Sequence, residues 1–88
     1  MKEKSNNKSI DATLKGIFSR IMNRPPKSID DTTSQDTLSA WNSLNHLLLI
    51  TEVEKDFDIA IPIDVSLEIK SFHRLKEVVS KRVRERRA

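Results

Sequence analysis

The sequence has 88 residues, a length that suits one small domain rather than two. It contains no cysteine, which excludes disulfides and thiolate metal sites and makes the reducing cytoplasm the expected location. No stretch resembles a secretory signal or is apolar enough to span a bilayer, so we expect no membrane insertion.

The net charge of +3 is unevenly distributed along the sequence. Residues 81–88 hold five basic residues against one acidic residue, and residues 1–8 hold three against one. Residues 9–80 hold eight against eleven, so the body is mildly acidic. We therefore expect a basic N-terminal tail over residues 1–9, a domain over residues 10–80 and a basic C-terminal extension over residues 81–88.

The first apolar pattern predicts a helix from about residue 10 to residue 21. Gly16 is the only glycine, and this scarcity disfavours tight hairpin turns and favours an all-α fold. Arg20 lies towards the end of the helix, where positive charge suits the helix dipole, and Pro25 and Pro26 stop it. The apolar residues that share one stripe of this helix are Ile10, Leu14, Ile17, Phe18 and Ile21.

A long polar connection follows over residues 27–42. A connection of this length without regular structure is uncommon in a small domain and often has a function. Its only large apolar residues are Ile29, Leu38 and Trp41, which we expect to hold the loop against the core.

The next pattern predicts a second helix from about Ser43 to Phe57. Asn42 is the expected N-cap, because its side-chain oxygen can accept a hydrogen bond from a free backbone N–H. On a helical wheel the inward face is predicted to hold Leu47, Leu49, Ile50, Val53 and Phe57. The outward face is predicted to hold Leu44, Leu48, Thr51 and Lys55.

Two more helices are predicted after Ile61-Pro62. Asp64 is the expected cap of a short helix over Val65 to Ile69, and Ser71 is the expected cap of a fourth helix. The inner face of the fourth helix is predicted to hold Phe72, Leu75, Val78, Val79 and Val83. The sequence thus predicts three main helices, one short helix and a long loop between the first two.

Two segments carry a specific pattern. Residues 41–47 read WNSLNHL, with Ser-Leu at a helix start, and residues 52–62 read EVEKDFDIAIP, an acidic helix end with Phe followed by Ile-Pro. This combination and its spacing resemble the acyl carrier protein family of phosphopantetheine-binding carriers, in which Asp-Ser-Leu opens the second helix. The resemblance covers residues 10–80 and implies a four-helix acyl-carrier-like bundle. We expect the protein to be a specialised, free-standing member of this family.

The resemblance implies that Ser43 is the attachment point of a 4′-phosphopantetheine arm derived from coenzyme A. A phosphopantetheinyl transferase would install the arm, which would hold an acyl or aminoacyl group as a thioester for acyl-loading, acyl-transfer or synthase enzymes. The start of a helix suits the phosphate, because free N–H groups and the positive end of the dipole meet there. The protein itself is expected to be a monomer and not an enzyme.

Partners of this family dock against the second helix. The partner-contact residues that the resemblance implies are Asn42, Leu44, Leu48, Thr51, Glu52, Glu54 and Lys55. Asn42 replaces the usual aspartate, which assists the transferase, so arm installation is expected to be slower or to need a dedicated enzyme. Leu48 and Lys55 replace acidic residues of typical members. These departures suit a carrier that serves one pathway better than a general fatty-acid carrier.

The residues alone leave other functions open. His46 lies three positions after Ser43, close enough on a helix to be its neighbour and to suggest a Ser-His hydrolase. No third group or oxyanion site accompanies the pair, so a packing or capping role is favoured. The basic residues 81–88 suit nucleic acid, but the acidic body does not, so no nucleic-acid partner is expected. An interaction module that kept the fold and lost the arm is the remaining alternative. Two histidines without cysteine predict no metal site.

Overall fold

The computed structural model describes residues 6–87, with side chains described for residues 10–86. Within that part of the chain, four α-helices form an all-α bundle. They are α1 (Asn6–Met22), α2 (Ser43–Phe57), α3 (Ile63–Ser66) and α4 (Phe72–Arg87), and a single turn of 3-10 helix spans Pro26–Ser28. This confirms the predicted fold of three main helices, one short helix and a long first loop.

The first and last helices, α1 and α4, are longer than the apolar patterns indicated. Helix α1 begins at Asn6 and α4 continues to Arg87, so helix also covers parts of the two flanks expected to be tails. Residues 1–5 and residue 88 lie outside the described part of the chain. The division into an acidic body and two basic flanks stays a prediction based on charge.

The core is built around a row of aromatic rings. Phe18 on α1 meets Trp41 and Phe72 edge to face, with ring centroids 4.9 Å and 5.6 Å away. Burying each such side chain contributes about 1.5–3 kcal/mol to folding, so these rings join α1, the first loop and α4. The other fully buried side chains are Leu14, Ile17, Leu49, Val53, Ile69, Leu75 and Val79.

The long first loop is fastened at several points, as predicted. Ile29 and Trp41 are buried, and Leu38 packs against the core. The loop also pairs with the start of α4, where the Phe72 N–H donates to the Thr33 carbonyl at 2.8 Å. The loop is therefore a positioned part of the fold that leads into Ser43.

Helices α1 and α2 are each followed by a residue in the left-handed backbone conformation. Asn23 follows α1 with φ of 58°, and Asp58 follows α2 with φ of 55°. Asn and Asp tolerate this conformation better than most residues, and it turns the chain out of the helix.

The start of α3 differs from the prediction. The helix spans Ile63–Ser66 and follows Pro62 directly, with no side-chain cap, so the expected capping by Asp64 is wrong. Proline already fixes an extended entry to the helix, so α3 begins before Asp64, which lies in its first turn. Ser71 does cap α4, since its hydroxyl accepts from the Arg74 N–H at 3.1 Å. Among residues 6–87 no helix is long and apolar enough to cross a membrane.

Candidate functional site

Ser43 is the first residue of α2, and its side chain is exposed. The preceding residue, Asn42, is extended and accepts a hydrogen bond from the Asn45 N–H at 2.9 Å, which confirms the predicted N-cap. The Ser43 hydroxyl makes no hydrogen bond to any residue between 10 and 86. The capped helix start therefore positions Ser43 on the surface, with its hydroxyl accessible.

The backbone around Ser43 suits a phosphate group. The cap takes up the Asn45 N–H, and the first helical bond joins the His46 N–H to the Asn42 carbonyl at 2.8 Å. The N–H groups of Ser43 and Leu44 therefore have no acceptor within the helix. They lie at the positive end of the α2 dipole, where phosphate oxygens are stabilised.

His46 has both ring nitrogens engaged. Its Nδ1 accepts from the indole Nε1–H of Trp41 at 2.9 Å, and its Nε2 lies 2.8 Å from the Ser66 carbonyl. Because a carbonyl only accepts, the hydrogen-bond network assigns the proton to Nε2. His46 consequently has no free nitrogen to act as a base for Ser43, and its role is the packing role predicted from the sequence.

An open groove of about 880 Å³ runs beside Ser43 between α2 and α3. Three exposed apolar side chains line it: Leu47 is 60% exposed, Ile63 is 71% exposed and Leu67 is 63% exposed. His46 and Trp41 also line the groove. The groove gives a chain attached at Ser43 an apolar surface along which to lie.

The exposed Leu47 corrects the sequence prediction, which placed this side chain on the inward face of α2. At 100° per residue Leu47 lies about 40° from Ser43 around the helix and about 200° away from Leu49. Its apolar character suggested the core, but its position on the helix places it on the face of Ser43. Leu49, Ile50 and Val53 are buried as predicted.

The predicted outward residues of α2 are exposed. Leu44 is 65% exposed and Leu48 is 46% exposed, and Thr51 and Lys55 are also exposed. Among residues 10–86 the large exposed apolar side chains all lie on α2, at the start of α3 or directly after α3; they are Leu44, Leu47, Leu48, Ile63 and Leu67. A cluster of this kind is typical of an interaction surface.

The two glutamates in the predicted contact set have contacts of their own. Glu52 is half-buried between Arg20, at 3.9 Å, and Lys55, at 3.8 Å. Glu54 accepts the backbone N–H of Ile61 at 2.8 Å and so holds the segment that leads from α2 to α3. This bracing role of Glu54 was not predicted, although Glu54 also lines the groove.

Sequence reasoning also missed Ile63 and Leu67. The signal was present, because two large apolar residues four positions apart around a short helix share one face. The location of that face beside α2 depends on tertiary packing, which the pattern of a four-residue helix does not indicate.

These features define a class of protein: a helical bundle that presents an exposed serine hydroxyl at the start of a helix beside a groove with exposed apolar side chains. A family model described as "phosphopantetheine attachment site" matches residues 12–79, which is most of the chain. The chain belongs to this family, the phosphopantetheine-binding carriers that include the acyl carrier proteins. A search of curated proteins found no match.

Family membership sets the general role. The domain is the attachment site of a covalent 4′-phosphopantetheine group, and the protein is a carrier that works with a phosphopantetheinyl transferase and synthase-type partners. Such domains are typically carriers without catalysis of their own. When attached, the group supplies a long arm that ends in a thiol, on which cargo is held.

The residues present fit this group. Esterification needs an accessible hydroxyl, which Ser43 provides, and two backbone N–H groups beside it are free for phosphate oxygens. The Asn42 side chain caps the helix by accepting from the Asn45 N–H. The apolar groove lies alongside for the arm.

Proposed function

We propose that Ser43 carries the phosphopantetheine arm, and that the protein delivers an acyl or aminoacyl group held on that arm as a thioester. The observation that carries this proposal is the exposed, unbonded hydroxyl at the first residue of a capped helix, within the segment that the family model matches. Ser39 is also exposed nearby, but it lies in the loop and has no helix start behind it.

We assign the transfer partners to the surface around Ser43. The exposed Leu44 and Leu48 supply apolar contact, and Thr51 and Lys55 extend the same side of α2. Asn42, Glu52 and Glu54 lie at the edge of this surface as polar contacts. An apolar centre with a polar rim is the usual form of a transient protein interface. The partners are the phosphopantetheinyl transferase and the enzymes that load and receive the cargo, and we expect a cytoplasmic monomer.

The direct test is intact-mass spectrometry after incubation with coenzyme A and a phosphopantetheinyl transferase of broad specificity. We expect the mass of one phosphopantetheine to be added to the protein and none to be added to Ser43→Ala. The matched control is Ser39→Ala, which removes another exposed hydroxyl four residues away and should be modified like the parent. Circular dichroism confirms that each variant is folded.

The alternative of a module that has lost the arm predicts the opposite result. A folded parent protein that gains no mass with a competent transferase and coenzyme A would overturn the proposal. Addition to both Ser43→Ala and the parent would show that the arm is attached elsewhere. Mass analysis of protein purified from its natural source then identifies the cargo, since a retained acyl or aminoacyl group adds its own mass.

A further inference from the structure

The last two described turns of α4 form a concentrated positive surface, here called the basic end, made up of Lys81, Arg82, Arg84 and Arg86. Lys81, Arg84 and Arg86 are exposed, and Arg82 is half-buried. No carboxylate among residues 10–86 lies within ion-pair distance of these four side chains.

The first turns of α4 differ in this respect. The Arg74 guanidinium lies 3.1 Å from Glu77, and the Lys76 ammonium lies 2.7 Å from Asp31 and 3.5 Å from Asp11. Positive charge is therefore neutralised locally at the start of the helix and left available at its end. The separation of charge along one helix is a property of the molecule that the carrier role does not require.

The basic end is distant from the start of α4, which adjoins the groove of Ser43. Gln35, which lines the groove, donates its backbone N–H to the Lys70 carbonyl at 3.0 Å, directly before α4. From there α4 rises about 14 Å to Lys81 and about 21 Å to Arg86. Lys81, Arg82 and Arg84 line a surface cavity together with residues beside α3, so the groove and the arm stay accessible when the partner is held at the last turn, around Arg86.

The side chains of the basic end limit the kind of partner it can bind. At 100° per residue the four cations spread over more than half of the helix circumference, and Val83 packs against the core. No large apolar side chain among them is exposed, so nothing is available for insertion into a bilayer or for stacking on bases. The planar guanidinium of arginine can donate two parallel hydrogen bonds to the oxygens of one phosphate group. The surface therefore suits a dense array of phosphates.

We propose that the basic end adsorbs to an anionic lipid surface by charge alone. Lipid headgroups can rearrange around cations on several sides of a helix end, whereas a nucleic-acid duplex needs cations along an extended stripe. The cations here are confined to two helical turns, and the body over residues 9–80 has more acidic than basic residues. The bilayer would repel the acidic body, so the protein would stand on its basic end.

The test is co-sedimentation of the untagged protein with vesicles at low salt. One set is neutral phosphatidylcholine, and the other contains about 30% phosphatidylserine, the type of anionic lipid that basic clusters bind. We expect binding to the anionic vesicles only, with about a fivefold loss of partitioning for each cation removed and about 25-fold for the double variant Arg84→Gln/Arg86→Gln. Raising the salt concentration should abolish binding.

The matched control is Lys27→Gln/Lys70→Gln, which removes the same charge from two exposed residues outside the basic end. It should bind nearly like the parent, and so should Ser43→Ala, because adsorption does not depend on the arm. Equal losses in the two double variants would overturn the proposal, since net charge alone would then explain binding. Binding to neutral vesicles, or tighter binding to a short DNA duplex than to anionic vesicles, would also overturn it.

Discussion

The indole N–H of Trp41 donates to Nδ1 of His46 at 2.9 Å, and this bond is one half of a bridge across the candidate site. The other half joins Nε2 of His46 to the Ser66 carbonyl at 2.8 Å. One imidazole therefore connects the first loop, α2 and α3. Because His46 lies three residues after Ser43, the bridge fixes the groove directly beside the proposed attachment point.

We predict that His46→Ala destabilises the protein by about 1–3 kcal/mol, because the buried indole N–H of Trp41 loses its acceptor. Denaturant unfolding measures this, and Trp41, the only tryptophan, reports on its own surroundings by fluorescence. The matched control is His73→Ala, since His73 is exposed and its ring nitrogens lie 3.5 Å from Asp31 and 3.3 Å from Glu77, two exposed carboxylates. We expect it to change stability by less than about 1 kcal/mol. Equal effects of the two substitutions would contradict the bridging role.

A second prediction concerns the helix cap. Asn42→Ala should cost about 1 kcal/mol of stability, because the Asn45 N–H loses its side-chain acceptor. Asn42→Asp keeps the acceptor and adds negative charge at the start of α2, which the dipole favours. It also restores the residue usual in the family, so we expect faster transfer of phosphopantetheine to Asn42→Asp than to the parent. Transfer rates followed by mass spectrometry check this, and a slower Asn42→Asp would contradict it.

A third prediction tests the exposed leucines of α2. We expect Leu44→Ala and Leu48→Ala to leave stability within about 0.5 kcal/mol of the parent, since both side chains are exposed. If the transferase docks here, each truncation should raise its KM for the protein about fivefold, as loss of about 1 kcal/mol of contact would. Lys27→Ala, on the 3-10 turn, is the control and should leave KM unchanged. Unchanged KM in both leucine variants would place the docking surface elsewhere.

The sequence was sufficient for the features that depend on local chemistry. The cap at Asn42, the helix start at Ser43 and the buried Trp41 follow from short-range pattern, and the structure has each as predicted. Features that depend on two segments meeting were not predictable in this way. The groove needs α3 to lie beside α2, and the bond from Glu54 to Ile61 needs the intervening turn to fold back.

The last prediction concerns the ion pair that holds the first loop against α4. The Lys76 ammonium donates to Asp31 at 2.7 Å and lowers the pKa of that carboxyl below its ordinary value of 3.8. The same hydrogen bond raises the pKa of Lys76 above its ordinary value of 10.5. Both shifts favour the charged forms, so the pair stabilises the fold between these two ordinary values.

The direction of the pH dependence follows from these shifts. A carboxyl whose pKa is lowered by folding stabilises the protein above its unfolded pKa, and this contribution disappears as the pH falls through the lower folded pKa. The lysine contribution disappears only as the pH rises through its raised pKa. Asp31→Asn should therefore be less stable than the parent from about pH 5 to pH 9, and the difference should shrink below about pH 4.

Urea unfolding of the parent and of Asp31→Asn across this pH range measures the difference. The control is Asp56→Asn, an exposed aspartate with no ion pair to residues 10–86, which should follow the parent at every pH. Because Asp31 and Lys76 are both partly exposed, added salt should reduce the difference by screening. A difference between Asp31→Asn and the parent that persists unchanged at pH 2 would contradict a contribution through the charge of Asp31.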